Sequence, residues 1–132
     1  MNAMRPAVAL LFIASCSGVA AQTADPWKVW VAEKKDLIQR KDSGIKVSEQ
    51  YRNRVCTLQK SDDAKADCVA RLNTIVERRV KEKVLIQAML DTMTLSNASR
   101  NALLDIVNPA YNQMDAATTD LAAKAFALYP ER

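Results

Sequence analysis

The chain has 132 residues, with 19 basic and 15 acidic side chains for a formal net charge of +4, only two glycines, three cysteines and no histidine. Without histidine there is no Ser-His-Asp or Cys-His nucleophilic pair, no CxxCH haem attachment and no His-based zinc site. Abundant Ala, Leu, Lys and Arg beside few β-branched runs favour helix over sheet, so the expected fold class is all-α. The pattern predicts a small helical bundle or hairpin of about four to five helices with one long central helix.

The first residues read as an export signal. Met1 to Arg5 carries one positive charge, Pro6 to Ala14 is almost wholly apolar, and small residues follow from Ser15 to Ala21. A short basic start, an apolar stretch and a small-residue cleavage site define a secretory leader, here residues 1–21. Two cleavage sites stand open. Val19-Ala20-Ala21 fits ordinary signal peptidase, whereas Cys16 closes a second, lipid-bearing alternative taken up below. The apolar run is too short to cross a hydrocarbon core of about 30 Å as a helix. The expected location is the periplasm, free or lipid-anchored, with secretion as the lesser alternative. Residues 22–132 then form a single helical domain.

Charge is unevenly divided along that domain. Gln22 to Lys83 holds fifteen basic and ten acidic side chains, and Val84 to Arg132 holds three basic and five acidic. A basic half suits an acidic partner, anionic lipid or nucleic acid, and export removes intracellular nucleic acid from these. A solvated helical face with mixed signs fits the same residues.

Asp25-Pro26 is a helix start, with Asp as N-cap and Pro at the first helical position. Trp27, Trp30, Val31, Leu37 and Ile38 follow at helical spacing, and Ser43-Gly44 is expected to end the segment. Trp27 and Trp30 are read either as core anchors or as contacts to a membrane surface or partner. A second helix is expected from about Ile45 or Ser48 to Lys60, with Val47, Tyr51, Val55 and Leu58 on one face. Ser61-Asp62-Asp63 reads as a turn and N-cap. A helical pattern of roughly thirty residues follows to Thr92, near 45 Å long at 1.5 Å per residue. Its expected buried stripe is Cys68, Val69, Leu72, Ile75, Val76, Val80 and Val84, then Ile86, Met89, Leu90 and Met93. The middle, Glu77 to Lys83, has one apolar residue in seven. Arg78, Arg79, Lys81 and Lys83 there are candidate contacts to a partner or membrane. Ser96 caps a helix to Val107, Asn108-Pro109 restarts the chain, and an Ala-rich helix ends before Pro130.

Cys56 and Cys68 each lie six residues from Asp62. A reversal there sets them level on antiparallel helices, and an oxidising compartment favours a disulfide. One continuous helix would instead hold them ~18 Å apart, too far to bridge.

Three stretches resemble known families. Ile13-Ala14-Ser15-Cys16 is similar to the lipobox of bacterial lipoproteins, which implies lipidation of Cys16. Arg78 to Ile106 resembles the Spy/CpxP group of periplasmic helical proteins, in which a long helix precedes an LTxxQ motif. Leu95-Ser96-Asn97-Ala98-Ser99 stands at that place, with Leu95 matching, Ser96 replacing Thr and Ser99 replacing Gln. Cys56 and Cys68 followed by Leu72-Asn73 are similar to LprI-type lysozyme-inhibitor domains, where the Leu-Asn lies farther on.

These features point to an exported, non-catalytic helical protein that binds other proteins in the bacterial envelope, in a chaperone-like form suggested by Met89, Met93 and Met114. The alternative is a lipoprotein inhibitor, immunity factor or adaptor for one envelope partner. No enzyme activity, cofactor, metal or nucleic-acid partner is expected.

Overall fold

The computed structural model describes residues 25–131. The expected leader, residues 1–21, with Cys16 and both expected cleavage sites, lies outside the described residues. The described chain consists of three long helices, α1 (Pro26–Val55), α2 (Asp62–Asp91) and α3 (Asn97–Leu128), joined by 3-10 turns at Cys56–Leu58 and Thr92–Thr94. No strand occurs among the described residues. The all-α class stands, but three helices replace the expected four to five. They are 30, 30 and 32 residues long, so α2 is not singular in length.

The two missing breaks have local causes. Gly44 sits inside α1 with no positive φ, and an added Cβ would meet nothing within 4 Å. Its flexibility is therefore unused, and the helix runs through at a propensity cost. Gly44→Ala is expected to raise stability by about 0.5–1 kcal/mol in urea unfolding; a loss of stability would overturn this reading. Pro109 lies inside α3. It cannot donate a bond to the Asp105 carbonyl, yet Pro109 and Asp105 are both exposed. The carbonyl left without a helical donor therefore lies on an exposed turn, and the helix continues through it.

The ends obey short-range chemistry. Asp25 Oδ1 accepts from the Lys28 amide at 3.2 Å, Ser61 Oγ from the Ala64 amide at 3.1 Å and Ser96 Oγ from the Ser99 amide at 3.3 Å. Each satisfies an amide that the first helical turn leaves unbonded. Between α2 and α3 the buried Arg100 guanidinium donates to the carbonyls of Thr92 (3.3 Å), Leu95 (3.2 Å) and Met93 (3.5 Å). It gathers the carbonyls of the connection between the two helices, beyond the end of α2 at Asp91.

The chain divides into two compact units between Ala32 and Glu33. In the first, Trp27 and Trp30 pack edge to face with centroids 5.4 Å apart; Trp27 is exposed and Trp30 half-buried. In the second, the buried positions recur at steps of three, four and seven. They are 41, 48, 51 and 55 on α1; 68, 72, 75, 82, 86 and 89 on α2; 100, 104, 111, 118 and 125 on α3. A mean spacing of 3.5 residues is the heptad repeat of coiled-coil packing. The expected stripe needs correction here. Val47, Val80 and Val84 are exposed, while Lys41, Ser48, Glu82, Arg100 and Thr118 occupy the interior.

The interior falls into zones along the helices. Tyr51, Val55, Cys56, Cys68, Leu72, Ile75 and Ala125 form one apolar cluster. Ile86, Met89, Leu104 and Tyr111 are buried beyond the charged layer described next.

Candidate functional site: a charged layer and an open cleft

Polar chemistry concentrates at two places in the second unit. The first is a layer of four charges from all three helices. Lys41 Nζ of α1 donates to Asp115 Oδ1 of α3 at 2.6 Å and to Glu82 Oε1 of α2 at 2.9 Å. Arg79 Nη1 reaches the same two oxygens, at 2.8 and 2.7 Å. Glu82 is 0% exposed. Its Oε1 is doubly bonded, whereas Oε2 is buried with no partner among the described residues. The Tyr111 ring lies 5.4 Å from Lys41 Nζ and adds a cation–π contact. Arg79 also reaches Thr119 Oγ1 at 3.4 Å.

The titration of these groups follows from that geometry. For Lys41, burial acts to lower the pKa, but hydrogen bonds to Asp115, Glu82 and Tyr111 outweigh it and the value is raised. For Asp115, burial acts to raise it, but hydrogen bonding with Lys41 and Glu82, the charge of Lys41 and the Arg79 bond hold it below the ordinary carboxylate range. Two cations and two anions thus neutralise each other. Their donors and acceptors are largely consumed within the layer, which gives it structural rather than recognition chemistry.

The second place is the end of the unit that carries the disulfide. Cys56 ends up 5.4 Å (Cα–Cα) from Cys68 and bonded to it, with both residues fully buried. The expected bridge is present. It pins the turn after α1 to the first turns of α2. Thr57 Oγ1 donates to the Asn53 carbonyl at 2.9 Å, and Gln59 Nε2 to the Val55 carbonyl at 3.1 Å. On this braced turn Leu58 points outward, 76% exposed. Across from it α3 ends at Leu128, 56% exposed. The following residues are tied down by their own contacts. The Tyr51 hydroxyl donates to the Tyr129 carbonyl, and the Tyr129 hydroxyl to Asp67. Arg54 Nη2 pairs with Glu131 Oε1 at 2.6 Å.

Between these segments lies an open cleft of about 490 Å³. Leu58, Ala64, Leu128 and Pro130 give it an apolar lining, and Arg54, Lys60 and Glu131 supply its charges. This volume is within the range of small-ligand and side-chain pockets. The hydrogen bond from Tyr129 and that from Arg71 hold the Asp67 carboxyl below its ordinary value. The same bond holds the Tyr129 phenol above its own.

The residues singled out in the sequence are dispersed. Arg79 is half-buried and engaged in the charged layer. Lys83 pairs with Asp42 of α1. Arg78 is half-buried and Lys81 exposed. Met89 is buried, and Met93 and Met114 are half-buried, so the methionines do not form an exposed stripe. Sequence reasoning missed the cleft because the helical pattern groups Leu58 on one face with Tyr51 and Val55. Steps of three and four through 48, 51 and 55 lead to 58 as an inside position; Leu58 is exposed because α1 ends at Val55 and the chain turns there in a 3-10 geometry.

Among the described residues no three His, Cys, Asp or Glu side chains are placed to hold a metal. No described helix is long and apolar enough to cross a membrane. Compared with family models, curated proteins and solved structures, the chain has no match.

Proposed function

We propose that the chain is an exported, non-catalytic helical module that binds another protein in the bacterial envelope. The observation that carries this reading is the cleft, where two leucines stand exposed on braced backbone next to mixed charges. Exposed apolar groups ringed by polar ones are a mark of protein contact sites. Bracing the turn in advance reduces the ordering cost of binding. The disulfide suits an oxidising compartment, in agreement with the leader read from residues 1–21.

Of the two forms of this reading, one defined partner is favoured over a chaperone-like role. A broad client surface calls for adaptable apolar side chains such as methionine, and Met89, Met93 and Met114 are all at least half-buried. The Spy/CpxP-like stretch at Leu95 to Ser99 contributes a turn and a helix cap, consistent with that layout and equally with any helical hairpin. Lipidation at Cys16 would tether the module to a membrane and leave the cleft chemistry unchanged.

A photo-crosslinking residue placed at Leu58 in the exported protein tests the reading. Val84 on α2, also exposed, is the control position. A discrete protein adduct from position 58 and none from 84 is expected. No adduct at 58, or identical adducts from both positions, would overturn it.

A further inference from the structure

The charges around the cleft specify more than a protein partner. Its lining holds two cations, Arg54 and Lys60, and one anion, Glu131. Arg54 is bonded to Glu131, but both side chains are about half exposed, 55% and 53%. Pairs of that kind contribute about 0–1 kcal/mol, so exchange with a competing carboxylate is inexpensive. Lys60 has no ion-pair partner among the described residues. The tail is fixed at Tyr129 by Tyr51 and Asp67. Glu131 lies two residues beyond that anchor, and among the described residues its ion pair is the exposed one with Arg54. It can leave Arg54 while Tyr129 stays in place.

We propose that this cleft binds an acidic, apolar-bearing peptide segment of a partner protein, and that Glu131 is a built-in competitor for the partner's carboxylate. The partner's apolar side chain packs over Leu58, Ala64 and Leu128. Its Asp or Glu side chain takes the place of Glu131 at Arg54 and adds Lys60. The neutral pairing of Arg54 with Glu131 keeps the empty cleft from carrying an unbalanced guanidinium. Its displacement sets the affinity threshold for partners. Basic segments are refused, because they would meet Lys60 and leave the Arg54–Glu131 pair intact. This inference rests on the protein-binding reading above and adds the partner's chemistry to it.

The test uses fluorescence polarisation with two short labelled peptides, one of leucine, aspartate and serine, the other with lysine for each aspartate. The acidic peptide is expected to bind saturably, and the lysine peptide at least about tenfold more weakly, a difference of about 1.4 kcal/mol. Glu131→Gln should tighten the acidic peptide up to about fivefold, the equivalent of one exposed ion pair. Lys60→Glu should weaken it, and Leu58→Asp should abolish binding. All three substituted side chains are exposed, and circular dichroism of each variant verifies that the helices remain. Equal binding of both peptides, no saturable binding, or no gain from Glu131→Gln would overturn the proposal. Peptide titration reads the chemistry of the cleft, whereas crosslinking from Leu58 reads the presence of a partner. A discrete adduct without acidic-peptide binding therefore sinks this inference alone, and absence of the adduct sinks the broader reading.

Discussion

Glu82→Leu is expected to destabilise the protein by about 3–5 kcal/mol, the cost of breaking a buried ion group by removing one partner. The substitution leaves Lys41 and Arg79 facing Asp115 alone, so two cations share one anion in a layer where Lys41 is largely desolvated. Leucine fills a similar volume, so a cavity does not account for the loss. A change below about 1 kcal/mol in urea unfolding would show that the layer is wet and weakly coupled. The decisive companion is the fourfold variant with Lys41→Met, Arg79→Leu, Glu82→Leu and Asp115→Leu. With every charge gone and the volume kept, stability should return to the parent level or exceed it by about 1–4 kcal/mol. The orphaned Glu82 Oε2 strengthens this expectation, because the parent layer carries an unsatisfied acceptor that the fourfold variant lacks.

The layer also sets the pH range of stability. Asp115 has a lowered folded pKa, so its contribution is fully present above the ordinary value of 3.8 and is lost as pH falls through the lower folded value. Lys41 is raised from 10.5, so its contribution is full below 10.5 and fades as pH rises through the higher folded value. Asp67 and Tyr129 behave in the same two directions at the disulfide end. Stability should form a plateau between these limits, with acid loss steeper in the parent than in the fourfold variant. A midpoint that drifts steadily across neutral pH would contradict the assignment.

Replacing Cys56 and Cys68 together by alanine is expected to cost about 3 kcal/mol, because the closed loop spans twelve residues in separation and the chain-entropy relation gives that value. Alanine avoids burying an unpaired hydroxyl at two fully buried positions. For a unit of this size the melting temperature should fall by roughly 10–25 °C. Two free thiols at these positions in denatured, unreduced protein would overturn the bridge. The variant should also loosen the turn that carries Leu58, so the cleft loses its bracing before the helices melt.

How far the sequence disclosed this structure depended on the distance over which each feature is determined. The caps at Asp25, Ser61 and Ser96 rest on bonds spanning three residues, and each was legible. The reversal at Ser61 and the cysteine pair followed from local spacing in the same way. Gly44 and Pro109 misled because their helix-breaking capacity goes unused: Gly44 keeps a helical φ, and Pro109 lies on an exposed turn of α3. The interior of α2 was misread for a different reason. Following apolar residues alone leads from Leu72 to Val76, Val80 and Val84, steps of four that walk around the helix to its exposed side. Extending the spacing of Cys68, Leu72 and Ile75 by three and four reaches Arg79, Glu82, Ile86 and Met89. Charged residues at two of those positions hid the repeat. The cleft was not legible at all, since it exists only where the end of α3 meets the turn after α1.

The charged layer has a further consequence for how the three helices align. Leu104, Tyr111, Thr118 and Ala125 lie seven residues apart on α3, so sliding that helix by one repeat would offer the interior a comparable set of side chains. Such a slip moves α3 by about 10 Å along its axis. It would carry Asp115 away from Lys41 and Arg79 and strand three charges in the interior. The seven-residue spacing by itself is common to these alternatives. The layer makes one register far lower in energy than its neighbours, as a single buried polar position does in coiled coils. Its role is to tell equivalent turns of a repetitive helix apart, and that fixes Leu128 opposite Leu58.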